Sequence, residues 1–251
     1  MKKYGVLIVG TGWVSGEHIR AFSMNPHSEV VAIVSRNADK ALAKAKEYGL
    51  VGVNCYTDYD QALKDSRVDI VCICTPNHLH TVQTIKAAEA GKHILIEKPI
   101  ALSWDDALAM KKAVDKAGVK TLVGYVLRWN PLFETAKKIQ DRFLGRLYYA
   151  ETDYFHRVTE TYPCYDWTRK KSVGSSSLLA GGCHAIDAIR WFMQSDVIEV
   201  TAYSSKSRND LEFDGTIAVL LKFANGTMGK VGSSYDSVAD QIGRASCRER
   251  V

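Results

Sequence analysis

Five short apolar runs, at 6–9, 30–34, 70–74, 94–96 and 121–123, punctuate the first half of the chain, and stretches with helical spacing separate them. Runs with almost no polar alternation belong to strands buried on both faces. Strands of that kind alternate with helices when a parallel sheet is covered on either side. The helical stretches carry their own stop signals: Ser103 precedes Trp104-Asp105-Asp106 as an N-cap, and Gly118 stands where that helix should end. The first half therefore predicts an α/β fold, a doubly wound parallel sheet over residues 1–123.

After Gly124 the rhythm changes. A helix is expected to open at Pro131, whose fixed φ suits a first turn, and 147–156 alternates like a strand with one buried face. Further strands are expected at 197–205 and 216–223, the second joined to 227–234 through Asn225-Gly226, a type I′ hairpin signal. One helix, at 178–193, lies between. The second half thus predicts an α+β domain over 124–240 with an open, mostly antiparallel sheet. Residues 241–251 are expected to be a non-native tail, because 243–251 shows neither periodicity nor capping.

At 251 residues, 46% of them hydrophobic and 24% charged, the chain has the composition of a soluble protein with two cores. Its net charge of +5 is spread along the chain rather than gathered in a basic stripe, which argues against nucleic acid as a partner. The apolar run at 6–9 is too short for an export signal, and no membrane role is expected. The six cysteines lack metal-ligand spacing, and Cys72 and Cys74 alternate within a buried strand. They read as reduced thiols of a cytoplasmic protein, with no metal.

Directly after the first run stands Gly10-Thr11-Gly12-Trp13-Val14-Ser15-Gly16. A bare backbone there lets a pyrophosphate approach the positive end of the following helix, the dinucleotide-binding arrangement of a Rossmann domain. The third glycine is displaced, Ser15 holding its place. After the second run, where an acidic residue would bind an adenosine ribose, the chain has Ser35-Arg36-Asn37; Arg36 suits a 2′-phosphate, so NADP is favoured over NAD. The fourth run ends in Thr75-Pro76-Asn77-His78-Leu79-His80 and the fifth in Glu97-Lys98-Pro99, both at the carboxyl edge where open α/β sheets bind ligands. Thr75, Pro76, Asn77, His80, Glu97 and Lys98 join Gly10, Thr11, Gly12, Trp13, Val14, Ser35 and Arg36 as the candidate cofactor site.

In this order and spacing, the glycine turn, Thr-Pro-Asn with its following histidine, and Glu-Lys-Pro resemble the Gfo/Idh/MocA family of sugar and cyclitol dehydrogenases. The resemblance continues through Gly124-Tyr125, Arg128, Pro131 and Gly182-Cys183-His184-Ala185-Ile186-Asp187. It implies that Lys98 holds a substrate hydroxyl and His184 takes its proton while hydride leaves the same carbon for the nicotinamide. The residue types agree, since an imidazole titrates near neutrality, at about 6.5, and an ammonium stabilises a developing alkoxide. Asp187, three residues after His184 on one helix face, is expected to orient or assist it. Tyr125, Arg128, Trp167 and Arg169 are expected to line a sugar pocket. Many relatives carry an acidic or amide residue four positions before the histidine, where this chain has Ala180.

Two other functions remain open at this stage: NAD-assisted glycoside cleavage within the same resemblance, and a cofactor-binding sensor without catalysis. The resemblance also implies a longer second sheet, with strands beyond Ser234, so the chain reads as truncated. Full-length relatives often pair through that sheet, which predicts a homodimer or homotetramer.

Overall fold

The computed structural model describes residues 3–242, which form two units divided between Gly124 and Tyr125. In the first, β1 (Tyr4–Val9), α1 (Trp13–Met24), β2 (Ser28–Val34), α2 (Ala38–Glu47), β3 (Asn54–Tyr56), α3 (Tyr59–Leu63), β4 (Ile70–Ile73), α4 (His80–Glu89), β5 (His93–Ile96), α5 (Trp104–Ala117) and β6 (Thr121–Val123) alternate along the chain. The strands pair in parallel in the order β3-β2-β1-β4-β5-β6. The direction of winding reverses between β1 and β4. The carboxyl ends of these two strands therefore border the crevice in which such sheets receive ligands.

Side-chain alternation explains why the apolar runs are continuous. Leu7, Val9, Ala32, Val34, Val71 and Ile73 pack on one face, and Val6, Ile8, Ile33, Cys72 and Cys74 on the other. Both faces lose their water, so every position in the strand is apolar. The edge strand β3 escapes that reading, because Asn54-Cys55-Tyr56 is short and only half buried. Helix α5 is bounded as expected: the Ser103 hydroxyl accepts from Asp106 N, and Gly118 takes φ +65.

The second unit holds α6 (Pro131–Ile139), β7 (Tyr149–Arg157), the single turns α7 (Tyr165–Thr168), α8 (Lys171–Gly174) and α9 (Ser177–Ala180), then α10 (Cys183–Met193), β8 (Val197–Ser205), β9 (Thr216–Phe223), β10 (Met228–Ser234) and β11 (Asp236–Ile242). Its sheet runs β11-β7-β10-β9-β8. Three of the pairings are antiparallel, but β7 and β10 run parallel. Ala185, Ile189 and Met193 of α10 pack on Val219, Leu221, Phe223 and Val231 of the sheet. Burying a side chain the size of Phe223 contributes about 1.5–3 kcal/mol, which fixes the helix that carries His184.

Several expectations need correction. The helix expected at 178–193 is broken into α9 and α10 at Gly181-Gly182. The hairpin after β9 forms, but not as type I′. Gly226 is at φ +82 while Asn225 stays outside the left-handed region, and Phe223 O accepts from Gly226 N at 2.9 Å. Asn225 instead uses its side chain, whose Oδ1 accepts from the backbone and hydroxyl of Thr227. That geometry suits a turn followed by a left-handed glycine. After Ser234 the chain adds β11, a strand not placed by the sequence reading. The tail at 243–251 lies outside the described residues.

Candidate active site

At the exit of β1, Gly10 takes φ +102, and a Cβ there would lie 2.9 Å from the Cys74 carbonyl oxygen. Only glycine satisfies both conditions, so the chain turns tightly against the end of β4 and enters α1 three residues later. Gly12 caps α1 with nothing within 4 Å of its Cβ position, and no acidic side chain occupies the first turn. An open backbone at a helix N-terminus free of negative charge fits the pyrophosphate of a dinucleotide. The Ser15 hydroxyl donates to Gly12 O at 2.6 Å, and a Cβ at Gly16 would strike Tyr48. The displaced third glycine thus serves helix packing.

Thr11 and Ser35 bring their hydroxyls to 3.3 Å across the ends of β1 and β2. Trp13 is exposed, Val14 packs into the core beside it, and Arg36 is exposed just past β2. Asn37 caps α2, its Oδ1 accepting from Asp39 N and Lys40 N. Beyond β4, the Thr75 hydroxyl donates to Gln83 Oε1, Pro76 is half buried, and Asn77 is buried.

His80 departs from its expected role. Its ring is wholly buried, with Nδ1 2.8 Å from Pro99 O and Nε2 2.8 Å from Thr75 O. Burial pushes this imidazole down, against the pull of the two carbonyls. With both nitrogens engaged inside the unit, His80 ties the β4 and β5 exits together and presents no ring nitrogen to a ligand.

Glu97 is also nearly buried. Its Oε1 lies 2.8 Å from His18 Nε2 of α1, and its Oε2 accepts from Lys98 N at 3.2 Å. Burial alone would raise this carboxyl, but the His18 hydrogen bond and the Lys98 ammonium hold it below its ordinary value. An ionised Glu97 therefore fixes the backbone from which the half-buried Lys98 extends. His18 carries no motif of its own, and sequence reading missed it. Its ring nitrogen also falls within 4.8 Å of the Cys72 and Cys74 sulfurs, a grouping that linear cysteine spacing conceals.

In the second unit, His184 occupies the first turn of α10, half buried. Tyr125 meets its ring edge-on at 6.2 Å, and Tyr154 of β7 lies tilted at 6.1 Å. Burial pushes both phenols up to about 12, so they remain hydroxyl donors at neutral pH. Asp187, expected to orient or assist the imidazole, is held by Arg128. Its two oxygens accept from Arg128 Nε and Nη2, each at 2.8 Å, and the Arg128 guanidinium lies over Trp191 at 5.4 Å. Ala180 is buried beside Val158, Leu211, Phe213 and Tyr235. Trp167, on α7, and Arg169, whose guanidinium covers Tyr165 at 5.8 Å, are both half buried. Tyr154 was also missed; its one signal is an inward-facing position in the alternating run of β7.

Among the described residues, no helix is long and apolar enough to cross a membrane. Residues 4–125 match the model of an oxidoreductase family described by its NAD-binding Rossmann fold, and residues 133–248 match the GFO/IDH/MocA C-terminal domain. D-xylose 1-dehydrogenase (NADP(+)) 2 of Haloferax volcanii is 28% identical over 238 residues, covering 94% of this chain and 71% of that protein. The aldose-aldose oxidoreductase of Caulobacter crescentus, solved with glycerol, is 30% identical with a TM-score of 0.85, covering 93% of this chain and 71% of its own. A levoglucosan dehydrogenase solved with NADH and levoglucosan is 26% identical with a TM-score of 0.86, covering 96% and 69%.

Proposed function

This chain belongs to the GFO/IDH/MocA oxidoreductase family and is an NAD(P)-dependent dehydrogenase acting on CH–OH groups, and we propose that the carbon it acts on is part of a sugar, cyclitol or related polyol. The carrying observation is the exit of β5, where ionised Glu97 holds the Lys98 backbone on the unit that bears the Gly10 turn. In this reading Lys98 donates to the substrate hydroxyl and stabilises the alkoxide as it forms. His184 removes the hydroxyl proton, and its neighbours Tyr125 and Tyr154 restrict the ring and remain protonated. Arg128, held by Asp187, and Trp167 with Arg169 are the substrate contacts, forked donors and an aromatic face that suit polyols.

The nicotinamide, when bound, accepts or returns the hydride. Gly10, Thr11, Gly12 and the start of α1 would hold its pyrophosphate, and the backbone at Thr75 and Pro76, with Asn77 beside them, would line its ribose. NADP is the preferred form, because Ser35-Arg36-Asn37 offers a guanidinium and no carboxylate to the adenosine ribose. The assembled form is a homo-oligomer that pairs through the second unit's sheet.

The test is a panel of aldoses, cyclitols and polyols with NAD or NADP, followed by absorbance of the reduced nicotinamide. Lys98→Ala is expected to lower kcat by about 10²–10⁴-fold. Turnover at the wild-type rate would remove Lys98 from the chemistry, and silence across the whole panel would remove the substrate class. Arg36→Ala should raise the KM for NADP by about tenfold or more while sparing NAD, the loss of one charge-assisted contact of about 1.5–3 kcal/mol. Equal effects on both cofactors would overturn the preference.

A further inference from the structure

Cys72 lies in β4 and Cys74 directly follows its end on the same face, their sulfurs 3.5 Å apart, with Cys72 fully buried and Cys74 nearly so. His18 approaches from α1, and its ring nitrogen and the two sulfurs lie within 4.8 Å of one another. The dehydrogenase chemistry makes no use of the thiols. We propose that His18, Cys72 and Cys74 form a binding site for a soft divalent cation, of the class of Zn²⁺ and Cd²⁺.

The donor set is the first argument. Two sulfurs and an imidazole nitrogen suit thiophilic ions, which bind sulfur at about 2.3 Å and nitrogen at about 2.0–2.1 Å. Tetrahedral bonds of that length place two sulfurs about 3.8 Å apart, so the pair as folded needs to open by only a few tenths of an ångström. The orientation of the histidine is the second. Glu97 Oε1 lies 2.8 Å from His18 Nε2, so the nitrogen proposed to meet the ion is Nδ1, with the carboxylate fixing the ring from its other side in the way metal-binding imidazoles are commonly held and made more basic.

The third argument is what the two cysteines are poorly built to do otherwise. Residues two apart on an extended strand have Cα atoms about 6.6 Å apart, near the upper limit of about 6.8 Å for a disulfide, and the two sulfurs rest at 3.5 Å, outside bonding distance. An ion bridges that gap where an S–S bond strains to. Binding replaces two S–H bonds by two metal–sulfur bonds and releases two protons to solvent, with no change of oxidation state. The site lies directly behind the dinucleotide turn, since the Cys74 carbonyl is the atom that a side chain at Gly10 would strike.

Titrating the intact metal-free chain with Cd²⁺, with a phosphine reductant and no chelator, reads the site through the ultraviolet thiolate-to-cadmium charge-transfer band. The first equivalent should produce that band. Cys72→Ala/Cys74→Ala should abolish it although Cys55, Cys164, Cys183 and Cys247 remain. His18→Ala keeps both sulfurs and should weaken binding by at least about tenfold, so the test stands even if the double variant folds poorly. No band with the wild-type chain, an unchanged first equivalent in the double variant, or wild-type affinity in His18→Ala would each overturn the proposal.

Discussion

The Asp187 carboxylate is 14% exposed, and both of its oxygens accept from Arg128, so removing the guanidinium leaves a nearly buried anion without its donors. Arg128→Ala should destabilise the protein by about 1–2 kcal/mol, the cost of a charged hydrogen-bonded pair reduced for the 41% exposure of Arg128. Arg128→Lys should recover less than half of this, because one ammonium cannot reproduce a two-pronged contact. Thermal unfolding checks both, and a Lys variant as stable as wild type would show that the fork does not matter. At this scale the sequence shows which side chains have reactive chemistry, as with Lys98 and His184. It does not show whom they meet. Asp187 shares a helix face with His184, but Arg128 arrives from 59 positions away with two donors. His80 looks like a ligand contact until two carbonyls, five and 19 positions off, take its ring nitrogens.

The interruption between α9 and α10 is a packing requirement. A Cβ at Gly181 would lie 2.3 Å from Tyr154 Cε1, and one at Gly182 would lie 2.7 Å from Ser233 Oγ. The bare backbone lets the chain press onto β7 and β10, and the restart at Cys183 puts His184 in a first turn beside Tyr154. Gly181→Ala should therefore cost about 1–3 kcal/mol through overpacking and displace the Tyr154 ring. An unaltered unfolding temperature would contradict this. The apolar periodicity at 178–193 made the helix readable, whereas the break is set by a neighbouring strand that periodicity cannot report. A second inter-element tie is polar. Arg208 pairs with Asp210 and donates to the carbonyls of Val158 and Tyr235, while the Tyr165 hydroxyl donates to Asp210 at 2.6 Å. The Arg208 hydrogen bond, assisted by that from Tyr165, holds the Asp210 carboxyl down at about 2, against 3.8 ordinarily. Because the folded value is the lower one, the stabilisation is complete above about pH 4 and is lost as pH falls toward 2. Compared with Asp210→Asn, the wild type should keep a constant stability advantage above pH 4 that shrinks toward pH 2. An advantage independent of pH over that window would show that the charge is not what holds the tie.

Across the whole chain, legibility follows the way strands are buried. In the first unit β1, β2, β4 and β5 are buried on both faces, so their apolar runs announce both the strands and the parallel sheet; of the two more exposed edge strands, β6 was read from Thr121-Leu122-Val123 and β3 went unread. The second unit's strands alternate, which marks each strand but not its partner, and the parallel pairing of β7 with β10 had no local signal. That alternation leaves an outward face. Tyr149, Tyr203, Leu220 and Met228 project from it with 47%, 79%, 60% and 59% of their surface exposed. Met228 stands beside Tyr149 across β10 and β7. Between them Lys230 pairs with Glu151 and Asp153, and Lys222 with Glu199. Among the described residues β8 ends the sheet, with every residue after Val197 exposed, an edge strand next to the apolar face. A face that mixes exposed apolar groups with internally neutralised charges can meet a copy of itself without burying an unmatched ion, as a two-fold interface requires. Light scattering after gel filtration should give at least twice the chain mass, and Tyr203→Glu/Leu220→Glu should yield monomers with unchanged circular dichroism. Those substitutions set four carboxylates into one two-fold interface while leaving the α10-facing core untouched. A wild-type chain that stays monomeric at micromolar concentration, or a double variant that stays associated, would show that this face is not where two copies join.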